Sequence, residues 1–157
     1  MDLSRLPLNR VASLIRLPSS ERRLALRALG WLVVVRVALR VMSFTTIRRY
    51  VESQTGSSAA SDTDWPRAVR RAGQRAARTF PGSSCLARSL VGELLLRRGG
   101  HPATLRIGVA ALPVAEAFGT TRAELDAHAW VESGGQLVAG DADLSRYTEL
   151  ARFGSDG

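Results

Sequence analysis

The hydrophobic pattern of this chain changes period at Gly99-Gly100, and that change constrains the fold more than any other feature. Upstream, apolar residues recur with a helical period; downstream, they alternate as in strands. From Ser20 to about Val51, Leu24, Leu26, Leu29, Leu32, Val33, Val35, Val37 and Leu39 are interleaved with Arg22, Arg23, Arg27, Arg36 and Arg40. The alternation from Val33 to Leu39 also fits a strand, but the length of the whole segment favours helix. Ser19 or Ser20 is placed to cap it, and Glu21 falls in its first turn. Gln54 to Thr63 is rich in Ser, Thr, Gly and Ala and reads as a loop. Asp64 then reads as an N-cap, with Pro66 in the first turn of a helix running to about Arg78. Phe80-Pro81-Gly82 is a turn signal. Ser83-Ser84 open the next helix, which holds Cys85 and continues through Leu86, Leu90, Leu94, Leu95 and Leu96 to the glycine pair.

Beyond the glycines, Ala103 to Val109, Ala127 to Glu132 and Gln136 to Ala139 read as strands. The last two are joined by Ser133-Gly134-Gly135, a hairpin signal. Leu112 to Asp126 is a long connection, either a flap over a site or a surface loop. Helices followed by antiparallel strands make an α+β layout. At 157 residues the chain is long enough for one domain with a real core. Within it, residues 1–63 read as an N-terminal amphipathic helical region and loop, and 64–157 as the core that carries the chemistry.

All 22 basic residues are Arg, and the net charge is +8. The charge is uneven: through Arg98 there are 18 Arg against 6 acids, and from Gly99 onward 4 Arg against 8 acids. A basic front half suggests an acidic partner, an anionic membrane surface or nucleic acid. No nucleic-acid fold signature accompanies it, so a protein or peptide partner ranks first, a membrane surface second, and nucleic acid is not expected. Leu24 to Phe44 has the length of a membrane span, but Arg36 and Arg40 fall inside it and are costly in lipid. An amphipathic helix against the core or a partner is the expectation. Met1 to Leu17 lacks a long apolar core and a cleavage site, which makes the cytoplasm the default compartment.

The one cysteine leaves no internal disulfide and no multi-cysteine metal site. Cys85 lies at the start of a helix, whose positive end favours a thiolate and whose first N–H groups can hold an oxyanion. His128 is one of two histidines and lies on a strand, sharing a face with Trp130 and Glu132 while Ala127, Ala129 and Val131 occupy the other. Such a histidine is a candidate shielded base. Asp141 follows the hairpin by a distance that returns it to His128, where it would fix the ring's tautomer; Asp143 is the alternative. His101 falls in a turn before Pro102 and is expected to be exposed. Ser83 and Ser84 read as helix caps rather than nucleophiles. No metal or phosphate motif is present, so no cofactor is expected.

These residues together resemble the transglutaminase-like superfamily, in which a Cys at a helix start, a His on a following strand and an Asp on the next strand form a triad in that chain order. More narrowly, the chain is similar to the standalone leader peptidases of lasso-peptide biosynthesis. The matching words are Ser84-Cys85-Leu86-Ala87-Arg88-Ser89-Leu90, Arg97-Arg98-Gly99-Gly100-His101-Pro102-Ala103 with Leu105 and Ile107-Gly108-Val109, and Ala127-His128-Ala129-Trp130-Val131-Glu132. The arginine-studded segment from Glu21-Arg22-Arg23-Leu24 onward also fits. Two departures are visible: Gly134-Gly135 adds a glycine that shifts the register toward Asp141, and the Leu112 to Leu125 connection is longer than the pattern.

The resemblance implies a papain/transglutaminase-like core, with Cys on a helix N-terminus and His and Asp on antiparallel strands, preceded by N-terminal helices. It implies a thiol peptidase that cuts the leader from a ribosomally made precursor, after a Thr near the leader's end. The implied partners are that precursor, a small leader-binding protein of the RiPP recognition type, and the cyclase that closes the lasso ring. The arginine-rich helices would offer a dock for an acidic leader or partner. The same acyl-enzyme would also serve a transferase with an amine acceptor, and a non-catalytic scaffold of the same fold is the third reading.

Overall fold

The computed structural model describes residues 18–56, 64–112, 124–140 and 143–154. Helix α1 spans Ser19–Val41 and buries Leu24, Ala25, Ala28, Leu32 and Val35, a stripe at the spacing of a core-facing helix. Neither Ser19 nor Ser20 caps it. Both lie inside the helix, and Pro18 stands at the N-cap without a side-chain bond. No helix among the described residues is long and apolar enough to cross a membrane.

The helical pattern from Ser20 to Val51 is two helices rather than one. The chain breaks at Ser43, whose hydroxyl accepts the Thr46 N–H and so caps α2, Phe44–Glu52. A serine side chain that satisfies a backbone donor offers the chain an alternative to continuing the helix. The break re-aims Arg48 inward, to 4% exposure. Its guanidinium pairs with Glu93, bonds Glu52 at 2.6 Å and lies 4.8 Å above the Phe153 ring.

Helix α3, Trp65–Thr79, buries Val69, Ala72, Ala76 and Thr79. Asp64 stands at its N-cap but makes no capping bond to it. Arg75 and Arg71 reach Glu21 of α1 at 2.9 and 3.8 Å, tying the two helices together.

Helix α4, Cys85–Arg98, is the centre of the molecule: every residue from Ser89 to Leu96 is buried. A helix buried all round has neighbours on every side, here α1, α2, α3 and the sheet. Leu90, Leu94 and Leu96 are fully buried, and each contributes about 1.5–3 kcal/mol. Glu93 is also fully buried, held by Arg48 and by Arg97 at 2.9 Å. The helix ends with His101 N–H on the Leu96 carbonyl, Gly100 N–H on the Arg97 carbonyl, and Gly100 at φ 75°. That is a Schellman ending, and glycine supplies the left-handed residue at no steric cost.

Four antiparallel strands follow: β1 Thr104–Leu112, β2 Glu124–Ser133, β3 Gln136–Ala139 and β4 Thr148–Phe153, in the order β3-β2-β1-β4. The β2–β3 hairpin turns on Gly134 and Gly135, at φ 55° and 73°, as a two-residue loop with both residues left-handed requires. Three strands match the sequence reading, with β1 and β2 longer than expected; β4 was not anticipated. The part of the Leu112 to Asp126 connection at 113–123 lies outside the described residues, and Glu124 to Asp126 belong to β2.

Leu105, Ala129, Val131 and Val138 face the helices and join one core with α1, α3 and α4. Ser89 Oγ donates to the Ala129 carbonyl at 2.9 Å, fastening α4 to β2. The other sheet face carries Arg106, Gly108, His128, Trp130 and Glu132, as the β1–β2 register requires. The architecture is therefore α+β, with a central helix against an antiparallel sheet.

Candidate active site

Cys85 is the first residue of α4, and Ser84 caps it by accepting the Ala87 N–H at 3.2 Å. The Ser84 carbonyl takes the Arg88 N–H at 3.1 Å. Among the described residues the N–H groups of Cys85 and Leu86 carry no hydrogen bond, so the positive end of the helix opens at the thiol. The approach to this start is clamped from α1. Arg36 donates to the Gly82 carbonyl and stacks over the Phe80 ring at 5.4 Å. The charge that argued against a membrane span thus holds the turn before Cys85.

The thiol is half-buried and lies 3.9 Å from the carbonyl oxygen of Ala127, the residue directly before His128. Helix start and strand β2 therefore meet at Cys85 and Ala127, the neighbour of His128 in the chain. His128 is 6% exposed. Its ring is near parallel to that of Trp130, with centroids 6.4 Å apart, and stacks on Tyr147 at 5.0 Å.

Tyr147 was not anticipated. It lies just before β4, and only the pairing of β4 with β1 brings it across the sheet. Gly108 is paired with His128 in register, and a Cβ there would come within 3.0 Å of the Trp130 ring and 2.9 Å of the Thr148 carbonyl. The absent side chain leaves room for the aromatic group. The Tyr147 hydroxyl donates to Asp126 Oδ2 at 2.8 Å, and Arg146 reaches the same oxygen at 3.0 Å. The Asp126 carboxylate, accepting that bond, holds the phenol's pKa above its ordinary value. Asp126 lies two residues before His128 on one strand, a spacing that would have placed both on one face.

A second network borders the rings. Trp130 Nε1 donates to Glu132 at 3.0 Å, and Arg106 bridges Glu132 at 2.9 Å and Glu149 at 2.7 Å. The Arg106 and Arg152 guanidiniums hold the Glu149 carboxyl below its ordinary pKa.

Asp141 lies outside the described residues. Asp143 is exposed, and its Oδ1 accepts from Ser145 Oγ at 2.7 Å and from Ser145 N–H at 3.3 Å. Those bonds lower its pKa and commit that oxygen to its own loop. Gly140, next to Asp141 in sequence, sits at φ 119°, where an added Cβ would come within 2.5 Å of the Trp130 Cβ. His101 is half-buried rather than exposed, and it follows the end of α4 opposite Cys85. Ser84 is a cap, as expected; Ser83 precedes it.

A family model described as the transglutaminase-like superfamily matches residues 29–152. No curated protein and no solved structure matches.

Proposed function

This chain belongs to the transglutaminase-like superfamily, and on that premise we propose that it is a cysteine peptidase acting through Cys85, His128 and Asp141. The observation that carries this reading is the Cys85 thiol, opening a capped helix 3.9 Å from the carbonyl that precedes His128. His128 takes the thiol proton, and the thiolate attacks the scissile carbonyl. The Cys85 and Leu86 N–H groups stabilise the oxyanion. The C–N bond breaks as His128 protonates the leaving amine, giving an acyl-enzyme. Water, deprotonated by His128, attacks the thioester and releases a carboxylic acid and the thiol. Trp130 and Tyr147 hold the imidazole in a part-dry aromatic setting, and Asp141 orients it.

The substrate we propose is the leader-bearing precursor of a lasso peptide, presented by a small leader-binding protein and handed on to a cyclase. The sequence words around Cys85 and His128 support this. The outer face of α1 supports a protein partner: Leu26, Val34, Val37 and Val41 are exposed there, with exposed Arg23, Arg27 and Arg40 on the same helix.

The test supplies precursor and partner to wild type and to Cys85→Ala. Loss of cleavage in the variant is expected, and cleavage at the wild-type rate would end the thiol reading. Product mass separates hydrolysis, which leaves a free carboxylate, from transfer to an amine.

A further inference from the structure

A cleft of about 60 Å³ lies between α1, α3, α4 and β3. Its walls include Ala28 and Leu32 of α1, Gly73 and Ala76 of α3, Gly92 of α4 and Val138 of β3. Among the described residues no acid lines it, yet two arginines do, Arg70 and Arg88. Arg70 has a use within the fold, with Nη1 3.4 Å from the Leu137 carbonyl. Arg88 has none: among the described residues its guanidinium makes no ion pair or hydrogen bond, and its Nε is buried without a partner. Arg48 and Arg106 also have an unmet Nε, but each is ion-paired through its Nη atoms. A half-buried cation facing an apolar cleft costs stability unless something meets it.

Gly73 is the second sign. It stands inside α3, where glycine is a poor helix former, and a Cβ there would meet nothing within 4 Å. Packing therefore does not require a glycine. The missing side chain keeps the cleft open.

Position supplies the third. Arg88 is three residues after Cys85 on α4, about 4.5 Å further along the helix axis. An extended peptide advances about 3.3 Å per residue, so the Arg88 edge of the cleft is within about two residues of a carbonyl held at the thiol.

We propose that this cleft is a subsite for an acidic side chain of the peptide that Cys85 cleaves, its aliphatic stem against the apolar walls and its carboxylate paired with the Arg88 guanidinium. A guanidinium–carboxylate pair suits this position because Arg88 has no ion pair or hydrogen bond among the described residues and its Nε is buried unmet. The inference rests on the peptidase reading for the identity of the ligand as substrate, and on Arg88 and Gly73 for its chemistry. It differs from a general attraction by the arginines of α3, since it requires one residue on α4 and one cleft.

The experiment uses the full chain as Cys85→Ala, labelled with ¹⁵N and titrated at low salt with a capped pentapeptide carrying a central Glu between Leu and Ala residues. Its twin has Gln in that place. The amides of Gly73, Gly92 and Gly140 line the cleft and report occupancy. The Glu peptide is expected to shift them, with the Gln twin binding about tenfold more weakly, the scale of a charge-assisted pair. Adding Arg88→Gln should erase the difference without lowering Tm, because a guanidinium without a structural partner leaves no orphan behind. Gly73→Leu should block the shifts while the fold persists.

Equal binding of the two peptides would overturn the proposal. So would a Glu preference that survives Arg88→Gln, or Glu-peptide shifts unchanged by Gly73→Leu. Should the glycine shifts behave as expected while wild-type protein never cleaves a precursor, the peptidase reading falls and the carboxylate site stands.

Discussion

The phenol ring of Tyr147 stacks on the imidazole of His128 with centroids 5.0 Å apart, although 19 positions separate them in the chain. Tyr147 is in turn held by Asp126 through its hydroxyl. The contact makes Tyr147 a positioning residue for the proposed base. Tyr147→Ala should lower kcat/KM by about a hundredfold, the cost of a misplaced catalytic group. Tyr147→Phe keeps the stacking ring and should stay near the wild-type rate. Equal losses in the two variants would show that the hydroxyl, not the ring, matters.

Ser84 caps the helix that begins at Cys85. Ser84→Ala should cost about 1 kcal/mol of stability in urea unfolding. Because the cap fixes the first turn, kcat should fall with little change in KM. Ser84→Asn restores a side-chain acceptor and should recover both. A Ser84→Ala protein with normal kcat would separate the cap from the chemistry.

Glu93 is fully buried between Arg48 and Arg97. Glu93→Ala leaves two cations facing each other inside the protein and should destabilise it by about 3–5 kcal/mol. Arg48→Met with Glu93→Leu removes the Arg48–Glu93 pair and should recover a large part of that loss. Thermal unfolding of the single and double variants checks this, and additive losses would contradict it.

Glu149 titrates below its ordinary range because Arg106 and Arg152 stabilise its charged form. The unfolded chain therefore takes up this proton at a higher pH than the folded chain does. The stabilisation is present above the ordinary carboxylate range and is lost as pH falls through the lowered folded value. Denaturation midpoints followed into the acid range should drop more steeply for wild type than for Glu149→Gln. Parallel curves would exclude the contribution, which is small because Glu149 is near the surface.

Much of the site was legible from local rules. A Ser before Cys85 at the end of a turn announces a helix start, and the alternation through Ala127 to Glu132 announces a strand with His128 and Trp130 on one side. Local rules misled where a side chain competed with the backbone. Ser43 ended a helix that apolar spacing alone would have continued, and Ser19 and Ser20 were absorbed into a helix that Pro18 begins. Tyr147 escaped notice because β4 has few buried residues: Thr148, Glu149 and Leu150 are all exposed. A strand at a sheet edge with so little burial leaves a faint periodic signal.

By itself the sequence determined the helix-to-strand change at Gly99-Gly100, the glycine hairpin, and the placing of Cys85 and His128 on a helix start and a strand. Those features depend on hydrogen bonds and sterics within one turn or one strand pair, which neighbouring residues settle among themselves. The tertiary structure alone decided that β4 lies beside β1, that Tyr147 covers His128, that Arg48 and Glu93 share the core, and that Arg88 lines a cleft. Each of these joins residues far apart in the chain, and its free energy exists only once the intervening elements have packed.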